Sequence, residues 1–237
     1  MLQINRLSKS YGRNIALSDI NLALGNGIYA LLGPNGAGKS TLMNLLTLGL
    51  RPDSGEIRWN ERRIEEAGRD YRAILGYMPQ QQGLYDGFRG IDFLCYIAGL
   101  KAIPKKQIYE EAERTAALVN LTDRLPDRLS AYSGGMKQRI LLAAAIIGDP
   151  KLVILDEPTA GLDPEERIRV REIVKSMAGN KIIIFATHVV ADIESIADEV
   201  ILLKKGVITD KGKLADLCVK YDVCDLESVY MKVSVKG

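Results

Sequence analysis

The sequence predicts an α/β fold with a mostly parallel central sheet, an antiparallel β subdomain and a helical subdomain. Two continuous apolar runs, at 152–155 and 182–186, are typical of parallel strands that helices cover on both faces. Apolar and polar residues alternate over 2–24, which favours a small antiparallel layer with one buried face. Helical spacing replaces both patterns between about residues 85 and 150, so we expect a helical insertion there.

Composition limits the classes of protein to consider. The 237 residues, 47% of them hydrophobic, are enough for one substantial core or two closely joined lobes. Lys and Arg total 32 against 30 Asp and Glu, so there is no broad basic field and we expect no nucleic-acid partner. Cys95, Cys218 and Cys224 have neither a metal-binding spacing nor the even number that disulfides require, which favours reduced thiols in the cytoplasm.

The hydropathy pattern predicts no targeting or membrane-spanning segment. The first residues alternate as a strand would and lack the apolar core of a signal peptide. The longest apolar run, at 140–148, is far shorter than a membrane span. We therefore expect any contact with a membrane to go through another protein.

The glycine-rich run at 33–41 predicts a loop that holds phosphate groups. Its glycines let the backbone turn tightly, so that successive N–H groups can point at phosphate oxygens. An apolar strand at 28–32 precedes the run and a helix at 40–50 follows it, which places the anion at a helix N-terminus and disfavours a chance match in a turn. Lys39 supplies a cation for the terminal phosphates of ATP, and the Ser40 hydroxyl is an oxygen ligand suited to Mg²⁺. The expected nucleotide-binding residues of this loop are Gly33, Asn35, Gly36, Ala37, Gly38, Lys39, Ser40 and Thr41.

Polar side chains follow two of the predicted strands where each strand ends. Asp156 and Glu157 come directly after the buried run 152–155, at the edge where α/β sheets bind ligands. We expect Asp156 to act on Mg²⁺ through water, and Glu157 to orient and deprotonate the water that attacks the γ-phosphate. His188, the only histidine, ends the strand at 181–186 and is either a γ-phosphate sensor or a structural residue.

Three further features have both a functional and a structural interpretation. Tyr11 lies in a turn upstream of the loop, where it can stack on adenine or simply end a strand. Gln80 begins an amide-rich loop whose acceptors could reach a metal or a water. Ser133 fits as the N-cap of a helix that continues to 147, and Gly134 and Gly135 leave the first N–H groups open to an anion. A plain serine-capped helix is the alternative.

The remaining pattern predicts helices at 105–121, 165–177 and 192–197 and strands at 56–60, 199–204 and 207–209. A short apolar run at 73–78 precedes the Gln80 loop. Beyond 212 the pattern weakens into short amphipathic pieces.

Together these residues resemble the nucleotide-binding subunit of an ATP-binding cassette (ABC) transporter over about 1–212. Residues 33–41 resemble the Walker A loop, 152–157 the Walker B strand with its catalytic glutamate, and 133–135 the family signature. Tyr11 matches the adenine-stacking aromatic, Gln80 the loop glutamine, 160–163 with Asp163 the D-loop, and His188 the switch histidine. The signature usually has Leu before its Ser and Gln after its second Gly, where this chain has Tyr132 and Met136.

The resemblance implies an ATPase of the P-loop NTPase fold that uses ATP and Mg²⁺. It implies an ABC ATPase domain at 1–212, with the helical subdomain at about 85–150 inserted in a RecA-like core, and a short C-terminal extension at 213–237. The implied catalytic residues are Glu157, His188, Gln80 and Lys39, and the implied metal ligands are Ser40, Gln80 and Asp156. It also implies a head-to-tail homodimer or pseudo-dimer closed by ATP, in which Ser133, Gly134 and Gly135 of one chain meet the nucleotide held by the other. Asp163 of the D-loop is a further implied nucleotide-binding residue.

The leading functional hypothesis is an ATPase subunit that powers a separate membrane-spanning permease from the cytoplasmic face of the cell membrane. Residues 83–88 are similar to the corresponding part of bacterial exporters, which favours export. The alternative is a soluble ABC ATPase without a transport role, such as an iron–sulfur assembly ATPase. The interval from Lys39 to Ser133 is too short for the long coiled-coil insertion of chromosome-maintenance and repair ATPases. A GTPase is disfavoured because Asn180-Lys181 lacks the aspartate that recognises guanine.

Overall fold

The protein, described here as a computed structural model, contains two sheets and eight α-helices within residues 1–80, 84 and 86–235. The strands are β1 (Leu2–Tyr11), β2 (Asn14–Leu24), β3 (Gly27–Leu32), β4 (Ser54–Trp59), β5 (Arg62–Arg63), β6 (Leu75–Met78), β7 (Leu152–Asp156), β8 (Ile182–Thr187), β9 (Glu199–Lys204) and β10 (Val207–Gly212). The helices are α1 (Lys39–Leu46), α2 (Ile64–Ile74), α3 (Gly90–Leu100), α4 (Ile108–Leu118), α5 (Gly134–Ala145), α6 (Pro164–Ser176), α7 (Leu214–Tyr221) and α8 (Leu226–Val235).

The central sheet has six strands in the order β10-β9-β3-β8-β7-β6. Its neighbours pair in parallel from β9 through to β6, and only the edge strand β10 is antiparallel. Strands β7 and β8 are buried along their whole length, as expected for apolar runs covered on both faces. The α/β fold with a mostly parallel core is confirmed, and the carboxyl ends of β3, β6, β7 and β8 lie along one edge.

The second sheet has four antiparallel strands in the order β2-β1-β4-β5. Ile4 of β1 pairs with Leu22 on one side and Ile57 on the other, and all three side chains are buried. Their alternation follows from the two-residue period of a strand, which sends apolar side chains to one face. The antiparallel layer is confirmed, and its buried face packs with α1 in one hydrophobic cluster.

Helices α3, α4 and α5 form the predicted helical region, together with two short 3₁₀ turns. Buried side chains such as Phe93, Leu94 and Ala116 join the same hydrophobic cluster as Val153 and Leu155 of β7. The helical region is therefore packed directly on one face of the central sheet. The helix predicted at 105–121 is shorter, covering Ile108–Leu118.

Three predicted boundaries are wrong. The helix predicted at 40–50 ends at Leu46, and the left-handed backbone of Leu48 turns the chain away. Residues 73 and 74 end α2 and are not in strand β6. The predicted helix 192–197 is absent, and only a 3₁₀ turn at Val190–Asp192 forms. Its Asp192 carboxylate is buried and accepts a hydrogen bond from Thr159, so a tertiary contact determines the local conformation.

The chain beyond 212 forms α7 and α8, which pack against each other and against the central domain. Leu217, Leu226 and Val229 are buried in the cluster that covers one face of the sheet. The Leu226 N–H also donates to Glu194 at 3.3 Å. These contacts place α8 beside the segment that follows β8. Every helix within the described ranges is too short or too polar to cross a membrane.

Candidate functional site

The glycine-rich loop connects the carboxyl end of β3 to the first turn of α1. Gly38 is the N-cap of α1 and has φ 108°, and a Cβ there would lie 2.5 Å from the Ala16 carbonyl oxygen. A Cβ on Gly33 would lie 2.3 Å from the Leu203 carbonyl oxygen. Neither position can therefore carry a side chain. No side chain caps α1, so its first N–H groups face the loop with the positive end of the helix dipole.

A cavity of about 280 Å³ opens over this loop. It is lined by Tyr11, Asn14, Ile15, Ala16, Pro34, Asn35, Gly36, Gly38, Lys39, Ser40, Thr41, Gln80, Asp156 and Glu157. Of the predicted loop residues, Gly33 and Ala37 do not line it. Ala37 is buried beneath, where its N–H donates to the Pro34 carbonyl and its own carbonyl accepts from the Gly206 N–H. One cavity thus brings together an aromatic ring, a phosphate-type loop, an amide and two carboxylates.

Lys39 is folded back on its own loop. Its Nζ donates to the Gly33 carbonyl oxygen at 2.6 Å, and its side chain is buried. Burial lowers the pKa of the Lys39 ammonium, whereas the nearby carboxylates of Glu157 and Asp156 raise it. A phosphate oxygen is a stronger, charged acceptor than a carbonyl. The ammonium can therefore exchange the carbonyl for a phosphate without leaving the cavity.

Oxygen donors for a divalent cation line the same cavity. Ser40, Gln80 and Asp156 offer a hydroxyl, an amide carbonyl and a carboxylate. Burial and the adjacent Glu157 raise the pKa of Asp156, while Lys39 opposes that shift. The described residues contain no cluster of three or more His, Cys, Asp or Glu side chains able to hold a metal alone. Mg²⁺ typically keeps several waters and substrate phosphates as ligands, so a few protein oxygens beside a phosphate loop fit it.

Glu157 and His188 are in direct contact across the ends of β7 and β8. Glu157 Oε1 is 2.8 Å from His188 Nδ1, and Oε2 accepts a hydrogen bond from Thr187 Oγ1 at 3.1 Å. The Glu157 N–H donates to Ala186 at 2.9 Å, and its φ of 51° turns the side chain out of the strand. Glu157 is buried, but half of the His188 side chain is exposed. The carboxylate is thus held by two partners at the cavity wall.

The signature residues lie outside this cavity. Ser133 and Gly134 are exposed at the start of α5, where Ser133 Oγ accepts from the Met136 N–H at 3.2 Å. Asp163 caps α6 in the same way, accepting from the Glu166 N–H at 2.9 Å. A second cavity of about 560 Å³ is lined by Gly134 and by Gln80. The structure therefore brings the loop, Tyr11, Gln80, Asp156 and Glu157 together, and leaves Ser133, Gly134, Gly135 and Asp163 on another surface.

Several contributors to the site were not predicted from the sequence, including Asn14 and Ala16 in the cavity wall. Ile15 lines the cavity beside Tyr11 and is 63% exposed, which is unusual for an apolar side chain in a strand. Thr187 holds the Glu157 carboxylate, and its place directly before His188 at the end of a buried strand was the available signal. Gln80 is described, but residues 81–83 and 85 are not, so the predicted loop there and the exporter-like segment 83–88 fall partly outside the described residues.

Comparison with known proteins identifies the family. The family model described as ABC transporter matches residues 17–160. YxlF of Bacillus subtilis (strain 168), an uncharacterized ABC transporter ATP-binding protein, is 36% identical over 219 residues, which are 92% of this chain and 72% of that protein. LnrL of the same organism, a linearmycin resistance ATP-binding protein, is 33% identical over 221 residues, which are 92% of this chain and 71% of that protein.

Solved structures agree with these relatives. The ATP binding subunit of an ABC transporter matches with a TM-score of 0.86 and 27% identity, covering 99% of both chains. The protein cbiO1 of Clostridium perfringens, part of the ABC transporter complex cbiONQ, matches with a TM-score of 0.83 and 26% identity, covering 99% of this chain and 94% of that one. The chain therefore belongs to the ABC transporter family, in which it is an ATP-binding subunit.

Proposed function

We propose that this subunit hydrolyses ATP with Mg²⁺ between two copies of itself and drives export through a separate permease. The observation that carries the proposal is the single cavity that joins the phosphate-type loop to Asp156 and Glu157, with His188 in contact behind it. We assign Lys39, Gln80 and Glu157, which line the cavity, and His188, which contacts Glu157, to catalysis. Ser40, Gln80 and Asp156 are assigned to the metal, and Tyr11 to the adenine.

The proposed hydrolysis of ATP depends on the positions of the Lys39 ammonium and the Glu157 carboxylate in the cavity. Lys39 and the loop N–H groups bind the terminal phosphates, and Mg²⁺, when bound, adds positive charge at the phosphate oxygens. Glu157 orients a water and takes its proton, which is the role of a general base. Thr187 and His188 fix the carboxylate, so it does not have to be ordered during the reaction.

The histidine contact determines what His188 can donate. If Nδ1 donates its proton to Glu157, a neutral ring has an unprotonated Nε2, which can only accept. For Nε2 to donate to the γ-phosphate, the ring must be protonated or Nδ1 must lose its proton. We assign the γ-phosphate contact to Nε2, the ring nitrogen that the Glu157 contact leaves free.

The signature half of the site comes from a second chain. Ser133 and Gly134 are exposed at the N-terminus of α5, a position suited to an anion, and they do not line their own chain's cavity. A head-to-tail pair places them over the nucleotide of the partner. Asp163 lies at the start of the neighbouring helix α6 and approaches the same nucleotide. We expect a monomer or a weak dimer without ATP.

A groove beside the helical region is the surface we assign to the permease. It has a volume of about 420 Å³ and is lined by apolar residues, including Tyr77, Ile97 and Leu100, together with the exposed Arg69 and Arg72. An apolar segment carrying an acidic residue complements this surface. Strand β6 runs from the groove to Gln80, so movement in the groove can reach the nucleotide cavity.

Two relatives support the transport role. LnrL is named for linearmycin resistance, and a transporter that confers resistance to a compound is expected to carry it out of the cell. The match to cbiO1, which is part of the ABC transporter complex cbiONQ, supports a separate partner.

Such a subunit lies on the cytoplasmic face of the membrane and needs no nucleic acid. We divide it into an ATPase domain at 1–212, with a helical subdomain at about 85–150, and an extension at 213–237.

Recovery of a membrane partner tests the transport role. We expect affinity-purified protein to bring down a polytopic membrane protein. Arg72→Glu should reduce that recovery without changing ATP affinity, whereas Lys213→Glu, at an exposed site just before α7, should leave the recovery unchanged. Full recovery with Arg72→Glu would exclude the groove. Active protein that brings down no membrane protein would favour the alternative, a soluble ABC ATPase such as an iron–sulfur assembly ATPase.

A further inference from the structure

A largely buried ion pair that the proposed chemistry does not use joins the second turn of α5 to the first turn of α6. Arg139 lies six residues after Ser133 on α5, and Glu166 lies three residues after Asp163 on α6. Arg139 Nε is 3.1 Å from Glu166 Oε2, and the two side chains are 9% and 14% exposed. The pair therefore connects the helical region directly to the helix that follows the D-loop.

Further contacts hold both members of the pair. Arg139 Nη1 donates to the Val119 and Asn120 carbonyl oxygens, both at 3.0 Å, just after α4. Glu166 Oε1 accepts from Arg169 Nη1 at 2.7 Å. Arg139 is thus fixed to the helical region and Glu166 to its own helix, and their mutual contact is the joint between them.

Glu166 also packs against the signature loop. A Cβ on Gly135 would lie 2.6 Å from both Cγ and Cδ of Glu166. Only a glycine allows the carboxylate this close to the backbone. The Ser133–Gly135 loop is therefore held by its own helix on one side and by Glu166 on the other. The Glu166 N–H donates to the Asp163 side chain, which is the N-cap of α6.

The geometry of the pair is incomplete. Within the part of the chain that the structure describes, Arg139 Nε and Glu166 Oε2 are the buried side-chain nitrogen and oxygen that lack a hydrogen-bond partner. They are close enough for a hydrogen bond but not aligned for one. A buried polar group without a partner is costly, so this contact is sensitive to the relative position of α5 and α6.

We propose that Glu166 is a positioning residue, paired with Arg139, that makes the signature loop and the Asp163 turn approach the partner's nucleotide as one unit. Glu166 does not line the nucleotide cavity, so it acts through Ser133–Gly135 and Asp163. This inference rests on the proposed two-chain site. It assigns a role in pairing and turnover, and none in the first binding of ATP.

The test is Glu166→Gln, which removes the charge and keeps the shape. In a Glu157→Gln background we expect the ATP concentration for half-maximal dimer formation to rise about tenfold, while the ATP affinity of the isolated chain stays within about twofold. The matched control is Glu165→Gln, because Glu165 is exposed in the same helical turn and also pairs with Arg169. The control should pair at the parent's ATP concentration.

Mixing two variants separates an effect across the interface from damage to the fold. In a pair of one Glu157→Gln chain and one Glu166→Gln chain, one site keeps an intact base and an intact signature. We expect such mixtures to hydrolyse more ATP than the mean of the two variants alone. Additive activity would contradict a role across the interface.

Other results would also overturn the inference. Unchanged pairing of the Glu166→Gln variant would contradict the inference. Weaker ATP binding by the isolated Glu166→Gln chain would also contradict it, since either result removes the assigned role. If Glu166→Gln does not fold, Glu166→Asp keeps the charge, shortens the reach and should show the same pattern with a smaller shift. A Glu157→Gln parent that does not pair at all contradicts the proposed function itself, which distinguishes the two failures.

Discussion

The two halves of the candidate site differ in how much of each is complete within one chain. The loop half is enclosed: Lys39, Asp156 and Glu157 are each at most 7% exposed and converge on one cavity. The signature half is open, with Ser133 and Gly134 exposed at the end of a helix. The proposed two-chain site therefore predicts that one chain can bind nucleotide alone, whereas hydrolysis needs the open half of another. Variants in the two halves should therefore differ in which measurement they affect.

The largest effect is expected from Glu157→Gln, in the enclosed half. The variant keeps the hydrogen-bonding shape of the side chain and loses the base, which contributes roughly 10²- to 10⁴-fold to the rate. We expect kcat to fall by that factor while ATP affinity is retained. Steady-state phosphate release and ATP titration measure the two quantities. A rate within a few-fold of the parent would show that Glu157 is not the base.

Lys39→Ala should act on binding itself. We expect the ammonium to exchange the Gly33 carbonyl for phosphate, and a charge-assisted hydrogen bond of this kind contributes about 1.5–3 kcal/mol, or about 10- to 150-fold in Kd. Calorimetric titration of the isolated chain with ATP measures the loss. Lys105→Ala, at an exposed site before α4, is the control and should bind as the parent does. Unchanged affinity in Lys39→Ala would contradict the role of this lysine.

His188→Ala tests the functional interpretation of the only histidine against the structural one. Loss of the Glu157 contact and of the phosphate donor should lower kcat about tenfold with a smaller change in affinity. His188→Gln, which keeps a donor, should recover part of the rate. If His188→Ala turns over as fast as the parent, the structural interpretation of His188 is correct.

Ser133→Ala should give the smallest effect, and only in the pair. The hydroxyl caps α5 and is placed to contact the partner's nucleotide, so we expect the ATP concentration needed for pairing to rise several-fold. ATP affinity of the isolated chain should not change. Ser130→Ala, an exposed serine three residues upstream, is the control. Weaker ATP binding by the isolated Ser133→Ala chain would contradict the division between the two halves.

Local patterns predicted the elements that depend on local physics. The glycines around Lys39 and the apolar run before Asp156 indicated the loop and the buried strand, and both are where the pattern placed them. The contact between Glu157 and His188 could not be predicted in this way. It depends on β7 and β8 being neighbours in the sheet, a pairing between segments about 30 residues apart.

Long-range contacts also explain the predictions that were wrong or missed. Asp192 was predicted to begin a helix, but it ends a 3₁₀ turn and its buried carboxylate accepts a hydrogen bond from Thr159. Arg139 and Glu166 look like solvated charges on helices, because a sequence does not show which helix faces which. Charged residues that pair across elements are therefore where sequence patterns give the least information.

The most direct test of the two-chain site is the mass of Glu157→Gln protein in solution, measured by light scattering with saturating ATP and Mg²⁺. We predict the 26.1 kDa monomer, or a weak dimer that dissociates on dilution, without nucleotide, and a stable dimer of twice that mass with ATP. A mass that stays at 26.1 kDa with ATP bound would contradict the account.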